Sequence, residues 1–223
     1  MLLNLPNKGG KPCNTHRPTL ILQHPKVPWN KGKMIGARPP LQTKHVWSIR
    51  TQLQLDGKKR DLAMFNLAID SKLRGCDVVR IKVDDVAPRG LTADRACVRQ
   101  HKTGPPVKFE LTEQAREAVD AYLKANQKQL GDYLFESRGR PNRFISTRQY
   151  SRLVSSWIAR IGLDPQLFGT HSLRRTKATL IYRRTGNLRA VQLLLGHRKI
   201  ESTVRYLGIE VDDALSIAEQ VDV

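Results

Sequence analysis

Residues 169–206 read GTHSLRRTKATLIYRRTGNLRAVQLLLGHRKIESTVRY, and this stretch places His171, Arg174, His197 and Tyr206 among helical patterns with an excess of positive charge. These are groups that handle a phosphodiester. A tyrosine hydroxyl attacks phosphorus, an arginine holds two phosphate oxygens at once, and an imidazole moves a proton near neutral pH. Thr170 is a candidate helix cap, and a helix from His171 puts Arg174 at i+3 on the same face, so both can address one anion. Gly186-Asn187 breaks the chain before Leu188, Val191, Leu194 and Leu195, a short apolar helix ended by Gly196. His197 follows directly, and a further helical segment from Glu201 carries Tyr206. No metal-ligand cluster accompanies these residues.

Upstream, helical periodicity begins at Leu41, with Val46, Ile49 and Leu53, and resumes past Gly57 with Leu62, Phe65, Leu67, Ala68 and Ile69. Two helices joined at Asp56-Gly57 are expected, the second stopping near Leu73-Arg74-Gly75, where Gly75 can take the left-handed conformation that ends a helix. Arg74 then lies at a helix end ahead of the apolar Val78, Val79, Ile81 and Val83; it is either a surface charge or a positioned functional group. Arg95 to Leu111 alternates apolar and polar residues around Lys102-Thr103-Gly104-Pro105-Pro106, which predicts a β-hairpin with Lys102 at its tip. A loop lysine is ordinarily just solvated, yet from a tip a flexible ammonium reaches anions that the body cannot. Thr112 is expected to cap a helix that buries Ala115, Ala118, Val119, Tyr122 and Leu123. A linker from Gly131 to Asn142 leads to Thr147, the expected cap of a helix carrying Tyr150, Leu153, Val154, Trp157 and Ile161. Tyr150 and Trp157 read as core.

Composition points to the partner. Lys+Arg 39 against Asp+Glu 20 gives a formal charge of +19 over 223 residues, which fits one domain with an arm and a polyanion, most simply nucleic acid. Residues 1–60 hold twelve Lys/Arg against Asp56 alone, whereas residues 207–223 hold five Asp/Glu and no Lys or Arg. Residues 1–40 are broken by Pro6, Pro12, Pro18, Pro25, Pro28, Pro39 and Pro40, so an extended basic arm is expected there, with Lys31 and Lys33 as DNA contacts. Trp29, two residues ahead of Lys31, either stacks on a base or packs on its own domain. Residues 41–208 form the expected catalytic domain and 209–223 an acidic tail helix. Cys13, Cys76 and Cys97 are odd in number and widely spaced, which supports neither a disulfide framework nor a zinc site and suggests a reducing compartment. With no secretory signal and no membrane span evident, a cytoplasmic, nucleoid-associated protein is expected.

Phosphoryl transfer without a metal needs positive groups on the non-bridging oxygens, for which Arg74 and Arg174 are the candidates. It also needs proton transfer at the attacking and departing oxygens, for which His171 and Lys102 are suited. The order Leu73-Arg74, Lys102, His171-Ser172-Leu173-Arg174, Leu195-Gly196-His197 and Tyr206 resembles the catalytic domain of the tyrosine recombinase, or phage integrase, family. Its most specific elements are His-x-x-Arg, Leu-Leu-Gly-His and the tyrosine nine residues later.

The resemblance implies a mainly α domain with a small antiparallel β-sheet (α+β). It implies that Tyr206 attacks a scissile phosphate of double-stranded DNA to give a 3′-phosphotyrosine and a free 5′-hydroxyl. By motif, Arg74 and Arg174 hold the phosphate, His171 assists proton transfer, Lys102 protonates the leaving oxygen, His197 hydrogen-bonds the phosphate and Asp77 buttresses the site. Arg175 is expected to contact DNA. The resemblance implies no ATP and no obligatory metal, a Holliday junction held by four protomers, and an accessory DNA-bending protein as a further partner. Relatives carry a helical core-binding domain that residues 1–40 are too Pro-rich to form, so the arm is expected to substitute as the clamp. The tail either docks on a neighbouring protomer or folds back on its own domain. The rival readings are a type IB topoisomerase and a DNA-binding regulator with a vestigial site; the complete set of six residues weighs against the latter.

Overall fold

The computed structural model describes residues 38–209 apart from 138, 140 and 141, together with residues 215 and 219. Its centre is a helix that has almost no solvent face. Helix α1 (Thr43–Leu55) buries Val46, Ile49 and Leu53 at helical spacing, and the chain turns at Asp56-Gly57, where Gly57 has φ 63°, into α2 (Lys59–Ser71). From Ala63 to Ser71 every residue of α2 is buried.

A helix buried on all sides must have its polar groups satisfied. Asn66 accepts from Arg50 Nε at 2.8 Å and donates to the Gln114 carbonyl at 3.3 Å. Asp70 accepts from the Thr112 backbone N–H and hydroxyl at 2.8 and 2.7 Å and from Lys177 Nζ at 2.8 Å. Asp61 accepts from Arg60 and, at 3.3 Å, from the Trp157 indole.

The end of α2 differs from the sequence expectation. Lys72, at φ 54°, takes the left-handed cap position, and Gly75 instead opens a four-residue helix, α3 (Gly75–Val78). Lys72 tolerates that backbone because its ammonium, wholly buried, is bound by both Glu110 carboxylate oxygens at 3.0 and 3.2 Å and by the Asp70 carbonyl. Gly75 is needed for proximity: a Cβ there would lie 3.3 Å from the Tyr150 ring.

After a second short helix, α4 (Val83–Val86), the predicted hairpin is present as β1 (Arg95–Arg99) and β2 (Pro106–Glu110), antiparallel, with Ala96 opposite Phe109 and Val98 opposite Val107. These four side chains form its buried face. Thr112 is the cap residue of α5 (Glu113–Ala125), as predicted, although its hydroxyl is spent on Asp70. Helix α6 (Thr147–Arg160) is capped one residue earlier than predicted: Ser146 Oγ accepts from Gln149 N at 3.1 Å. Helix α7 (Thr170–Thr185) likewise starts from Gly169, with Thr170 inside it. Gly186 ends α7, Asn187 Oδ1 caps α8 (Leu188–Leu195) through Ala190 N at 2.9 Å, and Gly196 ends it at φ 65°. Helix α9 (Ile200–Leu207) follows.

The architecture is therefore mainly helical with a two-stranded antiparallel sheet, as expected. Two apolar clusters hold it together. The larger surrounds α2 and contains Tyr150 and Trp157 as core, Trp157 meeting Phe65 edge-on at 5.7 Å. The smaller consists of Ala178, Val191 and Leu195 with Ile181, Tyr182, Tyr206 and Leu207 packed against it. Among the described residues no helix is long and apolar enough to cross a membrane. Trp29, Lys31, Lys33 and Cys13, and nearly all of the expected arm and tail, lie outside the described residues.

Candidate active site

Arg74 is the N-cap residue of α3, and its extended backbone (φ −69°, ψ 149°) directs the side chain toward the hairpin, where Nη1 donates to Gln100 Oε1 at 2.7 Å. Gln100, 1% exposed, follows β1 on its buried phase. The same oxygen accepts from the Thr103 hydroxyl at 2.6 Å, and Gln100 Nε2 donates to the Leu195 carbonyl at 3.3 Å. That carbonyl is one of those left free at the end of α8, and it also accepts from Arg174 Nη2 at 2.8 Å. One glutamine and one carbonyl thus join Arg74, the hairpin and Arg174. Two residues beyond Gln100, exposed Lys102 sits in the hairpin turn. The turn is tethered by Asp77, 1% exposed on α3, whose Oδ1 accepts from His101 N at 2.9 Å.

The first two turns of α7 carry His171 and Arg174. Gly169 N donates to Ser172 Oγ at 3.1 Å and so fixes the helix start. Arg174 is 3% exposed, and burial pulls its pKa down to about 10, which leaves it charged at neutral pH. His171 is exposed at the helix start, but partial desolvation, then the charges of Arg174, Arg38, Lys102 and Arg74, hold its pKa below the ordinary imidazole value. A neutral imidazole able to accept a proton is favoured there.

Gly196 brings α8 against the hairpin so closely that a Cβ would lie 2.6 Å from Val107 Cγ2. His197 follows, with its backbone N–H donating to the Gln192 carbonyl at 3.1 Å and its own carbonyl accepting from Gln192 Nε2 at 3.1 Å. His197 Nδ1 and Thr203 Oγ1 share a hydrogen bond at 3.1 Å, so Nε2 is the nitrogen left for a ligand. Burial, then Arg174 and Arg74, push its pKa down to about 4. The ring of Tyr206 meets His197 edge-on at 5.4 Å, with the guanidinium carbons of Arg174 and Arg175 at 5.7 and 5.3 Å from its centroid. Its hydroxyl is buried with no hydrogen-bond partner among the described residues, and burial, opposed by these arginines and Arg74, pushes its pKa up to about 12.

Arg74, Arg174, His197 and Tyr206 are therefore gathered in one cluster, with His171 feeling the charges of Arg174 and Arg74 and also that of Lys102 in the hairpin turn, which Asp77 tethers. Arg175, the expected DNA contact, is 6% exposed, donates from Nη1 to the Arg38 carbonyl at 2.9 Å and packs on Tyr206, so in this conformation it presents almost no surface to a duplex. Gln100, Gln192 and Thr203 were not singled out by sequence. For Gln100 a signal existed, since an amide on the inward phase of a strand must find buried partners.

The model of the phage integrase family matches residues 41–211. The chain is 32% identical to the "probable integrase/recombinase YoeC" of Bacillus subtilis over 161 residues, which covers 72% of this chain and 84% of that protein. It is 31% identical over 200 residues to "tyrosine recombinase XerC" of Caldanaerobacter subterraneus, covering 86% of this chain but 52% of that one. Among solved structures, the XerH site-specific recombinase bound to its difH substrate superposes with a TM-score of 0.66 at 16% identity, over 82% of this chain and 55% of that chain. The chain thus spans about half the length of the last two, and the XerH likeness speaks for the fold alone. With the family model covering most of its length, this chain belongs to the phage integrase family.

Proposed function

We propose that the protein is a tyrosine site-specific recombinase that cleaves and rejoins double-stranded DNA through a 3′-phosphotyrosyl intermediate. The observation that carries this reading is the packing of Tyr206 against His197 and Arg174, with Arg74 joined to Arg174 through Gln100 and the Leu195 carbonyl. Arg74 and Arg174 hold the non-bridging oxygens of the scissile phosphate, and His197 donates to one of them from Nε2. Tyr206 Oη attacks phosphorus as His171 assists removal of its proton. The P–O5′ bond breaks, and Lys102 protonates the departing 5′-oxygen. Attack of a 5′-hydroxyl on the phosphotyrosine reverses these steps and reseals a strand. The bond energy is conserved in the phosphotyrosine, so no nucleotide cofactor is consumed.

Since Oη is shielded in the described conformation, attack requires movement of α9 relative to Arg174 and Arg175. DNA is the partner of this reading, and the structural neighbour XerH was solved bound to its difH substrate. Strand exchange is assigned to four protomers on a Holliday junction, aided by a DNA-bending protein; residues 1–40 serve as the clamp, 41–208 as the catalytic domain and 209–223 as the docking tail.

The test is incubation with nicked suicide substrates carrying the cognate site. A covalent protein–DNA adduct that is lost in Tyr206→Phe supports the reading. Relaxation of any plasmid irrespective of site would point to a topoisomerase, and binding without an adduct to a regulator.

A further inference from the structure

Two adjacent arginines on a helix point about 100° apart, yet Arg174 and Arg175 both lie over the Tyr206 ring. Arg174 is committed to the Leu195 carbonyl. The commitment of Arg175 is to a different part of the chain: its Nη1 donates to the backbone carbonyl of Arg38, and its Nη2 lies beside Gly208, where a Cβ would be 3.7 Å away. Arg175 therefore touches the chain ahead of α1, the face of the tyrosine and the turn that closes α9.

The Arg38 segment is itself pinned. Arg38 Nη1 donates to the Phe168 carbonyl at 2.7 Å, and Leu41 N donates to Thr176 Oγ1 at 3.0 Å. Residues 38–41 thus lie along the Phe168–Thr176 region, the carbonyl that holds Arg175 between two anchors. A buried guanidinium whose Nε has no partner among the described residues is a costly way to gain stability. The planar fork suits another task, since it spans a carbonyl and an aromatic face at once, which a lysine ammonium does not.

We propose that Arg175 is a positioning residue: held by the Arg38 carbonyl, it clamps the Tyr206 ring in its withdrawn place, so that the path of the chain at residue 38 governs release of the tyrosine. The reading of Tyr206 as the nucleophile underlies the functional meaning of this clamp, while its physical existence is measurable without DNA. Displacing the chain at residue 38 frees the carbonyl, Arg175 swings away and Tyr206 gains solvent.

The experiment is nitration of the full chain by tetranitromethane, mapped by peptide mass spectrometry, with Tyr150 as the internal reference because it is 1% exposed and far from the clamp in sequence. In the wild type, Tyr206 and Tyr150 are both slow. In Arg175→Ala and in Arg38→Ala, Tyr206 nitration rises about ten-fold or more while Tyr150 stays slow, because the released ring leaves the site in which its hydroxyl is buried and meets the reagent. Arg175→Lys behaves like Arg175→Ala. Unchanged Tyr206 nitration in Arg175→Ala overturns the clamp, and a rise there with no rise in Arg38→Ala overturns its control from residue 38. Should Arg175→Ala expose Tyr150 as well, Arg38→Ala, which alters an exposed side chain, decides alone. A wild type that forms no DNA adduct would sink the recombinase reading and leave the nitration result standing.

Discussion

Gln100 accepts a 2.7 Å hydrogen bond from Arg74 while its amide nitrogen donates to the Leu195 carbonyl, the same acceptor that Arg174 uses. The two guanidiniums assigned to the phosphate are thus spaced by one buried amide. Gln100→Ala is expected to leave Arg74 without its partner and to lower the rate of adduct formation on a suicide substrate by about 10- to 100-fold, with DNA affinity changed much less. Gln100→Glu keeps the acceptor but loses the donor to Leu195 and should fall between. Single-turnover kinetics at saturating protein, beside a binding isotherm, provide the check; equal losses in both would count against a positioning role.

Gly196 answers to two constraints at once, a left-handed backbone at φ 65° and a contact that would put a Cβ 2.6 Å from Val107 Cγ2. Gly196→Ala is expected to cost about 1–3 kcal/mol of stability and to displace His197. Adding Val107→Ala relieves the contact but not the backbone, so the double variant should recover part of the loss. Urea denaturation of the four proteins in the cycle measures both terms.

His197 imposes an acid limit. Its pKa in the fold, about 4, lies below the 6.5 of an unperturbed imidazole, so between these values the unfolded chain binds a proton that the folded chain does not. Stability from this group is complete above about pH 6.5 and is lost as the pH falls toward about 4. His171, also lowered, adds to the same trend. His197→Asn should flatten the fall in urea midpoint across this window, leaving the His171 share. Neutral His197 across the physiological range also means that its own titration should be missing from the rate profile above about pH 5.

The concentration of basic residues in the first part of the chain predicts a salt effect. If residues 1–37 neutralise Z phosphates, their deletion should reduce the slope of log affinity against log salt by about 0.9Z. Fluorescence anisotropy over a salt series measures this directly, and an identical slope in the shortened protein rules the arm out as a clamp.

What was legible in sequence were features decided by neighbours along the chain: the hairpin at Arg95–Glu110, the break at Gly186-Asn187 and the helix end at Gly196 before His197. The misplaced details depend on partners far away in sequence. Lys72 adopts the left-handed cap conformation because Glu110, 38 residues on, binds its ammonium, so local preference for Gly75 loses. Ser146 prevails over Thr147 because Gln149 completes a reciprocal cap with it. The burial of Arg175 was not legible because its acceptor, the Arg38 carbonyl, lies 137 residues away. Gln100 carried an inward phase but no hint of which groups it would join.

The division of the apolar interior into two clusters has a consequence for the energetics of opening. Tyr206 packs on the smaller one, Ala178, Val191 and Leu195, whereas α2 is sealed within the larger. A sub-global excursion that lifts α9 exposes few apolar groups compared with one that opens α2, so it draws on the low end of the protein's free-energy ladder. Amides of α9 should therefore exchange with deuterium well before those of α2, and the element that bears the tyrosine can leave and re-dock many times within the lifetime of one folded molecule.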